Sequence, residues 1–268
     1  MAATAFGVAA VLQGIATRDA PNMYGVDPLL LVRLARQPVF LGALALNLTG
    51  FGLHVFALQT LSLFLAQAVI ASSVALTALL SVRVFGVALT AGQGACVVAV
   101  VAGLALLGPT ATTNASADPG AGAPLVLLAA VVLSVGAAVA AGRLPSTAAA
   151  VVLGLLAGVC FGVVAVAARI LPGLSPADLV TAPATYVLAL AGGCAFLLYS
   201  TAMQRGSVTT TTAALVITQT GLPTMVGVLL LGDRVRAGLV PLAVAGFTLA
   251  LVGALGLAGF EAGARARS

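Results

Sequence analysis

Apolar runs fill this chain almost end to end, and the polar residues that interrupt them recur at regular intervals. Cutting at charges, prolines and glycine clusters leaves nine apolar spans near residues 3–17, 39–58, 61–84, 91–108, 124–142, 147–168, 183–203, 208–231 and 239–260. Each approaches or exceeds the roughly 20 residues with which an α-helix crosses the hydrocarbon core of a bilayer. In that medium every backbone N–H and C=O must be satisfied within the segment, so helices are what such runs form. Three connections are longer than the rest. Residues 18–38 hold Arg18, Asp19, Asp27, Arg33 and Arg36, with a short interfacial helix expected from Asp27-Pro28 onward. Residues 109–123 form a turn-rich linker without an Arg, and residues 169–182 form a Pro-containing loop. The expected fold is an all-α polytopic membrane protein of about nine transmembrane helices.

Composition strengthens that reading. Of 268 residues 62% are hydrophobic and 6% charged, and the mean hydropathy is +1.22. A soluble domain carries about 25% charged residues to face water. The net charge of +5 comes from Arg residues scattered singly or in pairs, which gives no nucleic-acid patch. Cys96, Cys160 and Cys194 lie inside apolar spans without metal-ligand spacing and read as small packing residues. No basic stretch precedes residues 3–17, so they read as a first span and not as a secretory leader. With the N-terminus outside, the cytoplasmic side receives Arg18, Arg33, Arg36, Arg83, Arg143, Arg205, Arg265 and Arg267. The outside receives Arg169, Arg234 and Arg236. The excess of positive charge inside favours that orientation, with the C-terminus in the cytoplasm of a bacterial inner-membrane protein. The Arg-free linker then lies outside, where Asn114-Ala115-Ser116 fits a glycosylation sequon that carries no weight in most bacteria.

The two halves of the chain echo each other. Ala57, Gln59 and Ser62 match Ala202, Gln204 and Ser207 at an offset of 145; Gly86, Ala91 and Gly92 match Gly232, Ala237 and Gly238 at 146. Phe6-Gly7-Val8 resembles Phe161-Gly162-Val163, with Arg18 and Arg169 closing the two spans. The expected division is a first four-helix repeat (1–108), a linker with a spacer helix (109–146), and a second four-helix repeat with a short tail (147–268). An offset of five helices inverts the second copy, giving a 4+1+4 inverted repeat. Secondary transporters use that architecture, with the site at the repeat interface near the midplane.

Leu231-Gly232-Asp233-Arg234-Val235 ends a helix containing Pro223 and precedes the glycine-dotted run 238–259. That segment resembles the end of an EamA-type repeat in the drug/metabolite transporter superfamily, with Asp233 where the family usually has Glu. The first half, through Gln37-Pro38, Gly42, Gly50 and Ala57, is similar to the nine-helix branch that contains the NIPA-type magnesium transporters. The resemblance implies a carrier fold. It departs at Phe85-Gly86-Val87, which lacks the acidic residue of the second half, and at Phe51 and Gln67, where the magnesium branch usually has Glu and Pro.

Polar residues inside the spans are the site candidates, because burying them unpartnered costs about 1–3 kcal/mol each. Asn47 and His54, seven residues apart, share one helix face, and His54 is the chain's one histidine. Ser73, Thr77 and Ser81 form one stripe with Gln67 nearby. Thr218 and Gln219 precede Pro223, whose missing N–H disturbs the bond to the Gln219 carbonyl. Each has an ordinary alternative: a histidine bonded to a neighbouring helix, or hydroxyls bonded back to their own helix. Gln13, Gln59 and Gln204 are weaker candidates. Asp233 with Arg234 and Arg236 reads as an interfacial anchor or gate pair. Gly154, Gly158 and Gly162 form a small-residue face for close helix packing inside the chain, with a homodimer interface as the alternative.

A dication such as magnesium needs oxygen ligands with carboxylate charge or a hydrated route, and no Asp or Glu is expected at the midplane. There is no HExxH motif, no second His and no phosphate loop with a Lys, so no enzyme chemistry, metal or cofactor is expected. The expected function is alternating-access transport of a small neutral, zwitterionic or lipophilic solute. A non-transporting scaffold or assembly protein is one alternative, and a magnesium transporter another. A polar-lined cavity between the halves separates a carrier from a scaffold with a solid midplane.

Overall fold

The computed structural model describes residues 1–18, 38–85, 90–110, 120–205 and 208–265. The expected interfacial helix at Asp27-Pro28, the Asn114 sequon, and the side chains of Gln13, Thr77, Ser81 and Gln204 lie outside the described residues. Among the described residues there is no strand, and nine long helices occupy the nine apolar runs. They are α1 (Ala2–Arg18), α2 (Pro38–Thr60), α3 (Leu63–Phe85), α4 (Ala91–Leu107), α5 (Ala123–Ala141) and α6 (Ser146–Arg169), then α8 (Pro183–Arg205), α9 (Val208–Leu229) and α10 (Val240–Arg265). Stretches of α2, α4, α5, α6 and α10 are each long and apolar enough to cross a membrane.

The loop expected at 169–182 holds a further short helix, α7 (Pro176–Thr181). Its signals are local. Ser175 accepts from the Asp178 N–H at 3.1 Å, and Pro176 takes the first helical position, where a missing N–H costs nothing. The same logic starts α4. Thr90 and Gln93 exchange side-chain and backbone bonds in a capping box, at 3.3 Å and 2.8 Å.

With lipid on the outside, helices gain little from hiding apolar surface, so close packing of small residues decides which pairs form. α6 is the central helix. It packs on α5, α8, α9 and α2, and Ala157, Ala165, Ala167 and Ala168 along it are buried. Gly154 meets the Thr211 carbonyl, Gly158 the Leu215 carbonyl and Gly162 the ring of Pro223, all on α9. The glycine face is therefore filled by this chain's own ninth helix. Gly103 of α4 lies against the backbone of Gly246 and Ala250 on α10, and Gly253 lies against the Cys96 carbonyl. At these crossings even a methyl group would strike backbone.

α1 packs on α2 and α3, and α3 on α4; likewise α6 packs on α8 and α9, and α9 on α10. The two groups join through α4 with α10, α3 with α9 and α10, and α2 with α6. α5 touches α6 and α8, and its outer face of Leu125, Val126, Leu133 and Val139 is exposed, as suits a lipid-facing helix.

Candidate functional site

A cavity of about 640 Å³ lies between the two groups of helices. α2 contributes Asn47, Phe51 and His54 from one face, the pair expected from their spacing with an aromatic ring between them. α3 adds Gln67, Ile70 and Ser73, and α9 adds Gln219. The apolar remainder comes from Phe6 of α1, from Phe161, Val164 and Ala165 of α6, and from α8 between Leu188 and Phe196. Its lining is mainly apolar, with five polar side chains among it, and among the described residues none of the lining carries a carboxylate or a guanidinium. Gln67 is 1% exposed and His54 9%, so both project from walls that are otherwise dry. Such a site can position a ligand by a few hydrogen bonds while apolar contact supplies most of the binding.

Of the residues singled out from the sequence, Asn47, His54, Ser73 and Gln219 meet in this cavity, and Thr77 is not described at the side-chain level. Thr218 does not join them. Its hydroxyl donates to the Leu155 carbonyl of α6 at 2.9 Å, with longer bonds to the carbonyls of Ala214 and Leu215 in its own helix. Against Gly158 it ties two helices together, and it does not line this cavity. The aromatic lining of Phe6, Phe51, Phe161 and Phe196 was not singled out. In so apolar a chain a Phe carries no mark that separates a cavity wall from a lipid face.

At one end of the bundle a buried polar network closes over the helix ends. Asp233 and Arg169 are each 3% exposed and form an ion pair at 3.4 Å. Asp233 thus has a buried partner in Arg169, 64 residues away, which its neighbours in the sequence did not suggest; Arg234 is exposed. The local chain explains how the carboxylate arrives there. Gly232 adopts φ +73°, a conformation that side chains disfavour, and turns the chain back after α9. The Asp233 N–H then bonds the Gly227 carbonyl at 2.9 Å, and the absence of a side chain at Gly227 leaves room for the carboxylate.

Three helix termini are capped across this junction. The Asp233 carboxylate accepts from the Leu63 N–H at the start of α3, at 2.5 Å. Arg169 donates to the Leu58 carbonyl near the end of α2, at 2.6 Å. The Gln59 amide donates to the Ala168 carbonyl near the end of α6, at 2.5 Å. Terminal N–H and C=O groups have no partner within their own helix, and an anion suits a helix start. The Arg236 N–H also bonds the Thr110 carbonyl at 3.0 Å, bringing the end of α4 to the same place. Near the far end, Arg205 closing α8 donates to the carbonyl of Gly142 after α5, at 3.1 Å.

Among the described residues no group of three or more His, Cys, Asp or Glu could hold a metal ion. Compared with protein-family models, curated proteins and solved structures, the chain matches none.

Proposed function

We propose that this chain is a nine-helix carrier of a small neutral, zwitterionic or lipophilic solute, built on an inverted 4+1+4 repeat of the drug/metabolite-transporter kind. The observation that carries this reading is the cavity between the two groups of helices, with Asn47, His54, Gln67, Ser73 and Gln219 on its walls. Polar side chains gathered around a void from α2, α3 and α9 suit a carrier better than a scaffold packed solid at its midplane.

Two packing facts support the repeat. The helices of each half contact one another in the same order, as described above. The end of α2 meets the end of α6 through Arg169 and Leu58, whereas the end of α8 meets Gly142, ahead of α6. α6 separates those points by 24 residues, about 36 Å at 1.5 Å per residue. Helices that correspond under the repeat therefore finish at opposite ends of the bundle, as inversion requires. By the distribution of Arg, the clamped end faces outward, with the N-terminus outside and the C-terminus in the cytoplasm of a bacterial inner membrane. The neutral lining argues against a bare magnesium ion, which needs carboxylate oxygens.

The test is a thermal-shift screen of the purified protein against neutral and zwitterionic metabolites and amphiphiles. A ligand that stabilises the protein should bind about five- to tenfold more weakly to His54→Ala or Gln219→Ala, the loss of one hydrogen bond of about 1–1.5 kcal/mol. Unchanged affinity in both variants would remove the site from this cavity.

A further inference from the structure

We propose that the cavity opens sideways into the lipid between α2 and α8, and that its ligand is an uncharged amphiphile drawn from the hydrocarbon core. The inference rests on the carrier reading above and adds the route and the chemical class of the solute.

The argument starts from which lining residues are open. Those toward the clamped end are closed off: His54, Gln67, Val164 and Ala165 are buried, and the capped helix ends of Arg169, Asp233, Leu58 and Leu63 lie beyond them. The open ones are Ala189 and Gly193 and two large side chains, Leu48, 64% exposed, and Phe196, 56% exposed. These two sit near the midpoints of α2 and α8, about 15 Å from either helix end at 1.5 Å per residue. A residue exposed at that depth faces acyl chains, because the hydrocarbon core is about 30 Å thick and dry. Among the described residues α2 and α8 make no substantial contact with each other. Gly193 on α8 lines the cavity with open space where a side chain would stand. The mouth of the cavity is thus a slot at mid-membrane.

The lining selects what fits. A charged solute would have to enter through hydrocarbon and then find no countercharge among the residues around it. An apolar or aromatic body packs against Phe51, Phe161 and Phe196. A hydroxyl, amide or ester head reaches the side chains of His54, Gln67 and Gln219 farther in, which offer both donors and acceptors.

The chain contains no Trp, so a single introduced indole reports its own surroundings. Phe51→Trp, with Phe161→Trp as a second position should the first not fold, is reconstituted in phosphatidylcholine brominated on its acyl chains and separately titrated with acrylamide. The lipid-facing reference is Leu125→Trp. Fluorescence loss to bromine comparable with the reference, together with little loss to acrylamide, is the expected result. Loss to acrylamide without loss to bromine would overturn the lateral opening while leaving a water-filled carrier cavity intact. Loss to neither would overturn it together with the cavity. A diazirine-bearing hexadecanol tests the ligand class. It should label residues 47–54 and 188–196 above the outer face of α5, and more than its carboxylate analogue does. Uniform labelling, or equal labelling by the acid, refutes the assigned chemistry.

Discussion

Removing the carboxylate of Asp233 is the sharpest perturbation available. Asp233→Ala leaves the Arg169 guanidinium buried without its countercharge and the start of α3 without its cap. Breaking a buried pair by deleting one partner costs about 3–5 kcal/mol, and a lost cap about 1 kcal/mol. In a chain of this size each kcal/mol moves the unfolding midpoint by about 2–4 °C, so the midpoint should fall by roughly 8–24 °C. Arg169→Leu should cost nearly as much, because it strands the carboxylate. The double variant Asp233→Ala/Arg169→Leu removes both charges together. Only the two capped backbone groups then lose partners, at about 1 kcal/mol each, and a fall of roughly 4–8 °C is expected. The assay is the fraction of monodisperse protein left after heating in detergent, measured by size-exclusion chromatography. If the double variant falls by the sum of the two single falls, the side chains do not interact and the clamp described here is wrong.

Other outcomes follow from the same geometry. Gly158→Val places branched carbon against the Leu215 carbonyl and should lower the yield of folded protein, an overpacking cost of about 1–3 kcal/mol or more. Gly136→Val on α5, where nothing lies within 4 Å of the added carbon, should stay within about 0.5 kcal/mol of the parent. Thr218→Val should cost about 0.6 kcal/mol through its lost bond to Leu155 and leave ligand affinity unchanged; weakened affinity would return Thr218 to the site. Single cysteines at Gly120 and Ser175 should react with an impermeant maleimide from outside intact cells, and one at Arg143 only after permeabilisation. The reverse pattern would overturn the proposed orientation.

The helices were legible in the sequence because their boundaries are chemical. Pro38 and Pro183 start helices, Gly108 and Gly142 close them, and the spans between such points are predominantly apolar. One face of the cavity was legible for a related reason: Asn47 and His54 are polar, seven residues apart and on one helix. The clamp was not. Arg169 and Asp233 are 64 residues apart, each looked like an ordinary charge at a span end, and two of the groups they bind are backbone atoms of Leu58 and Leu63. Backbone partners leave no trace in the sequence. Thr218 shows why local pattern does not separate the two cases: a hydroxyl tying two helices and a hydroxyl awaiting a ligand have the same spacing.

The crossing of α4 and α10 has a mechanical consequence. Gly103, Gly246 and Gly253 bring backbone against backbone, so at those points there is little room to slide. Movement of the two groups against each other is therefore most restricted there. α2 and α8 lie away from that seam, each packed on α6 and barely on one another, so they are the pair with least to hold them together.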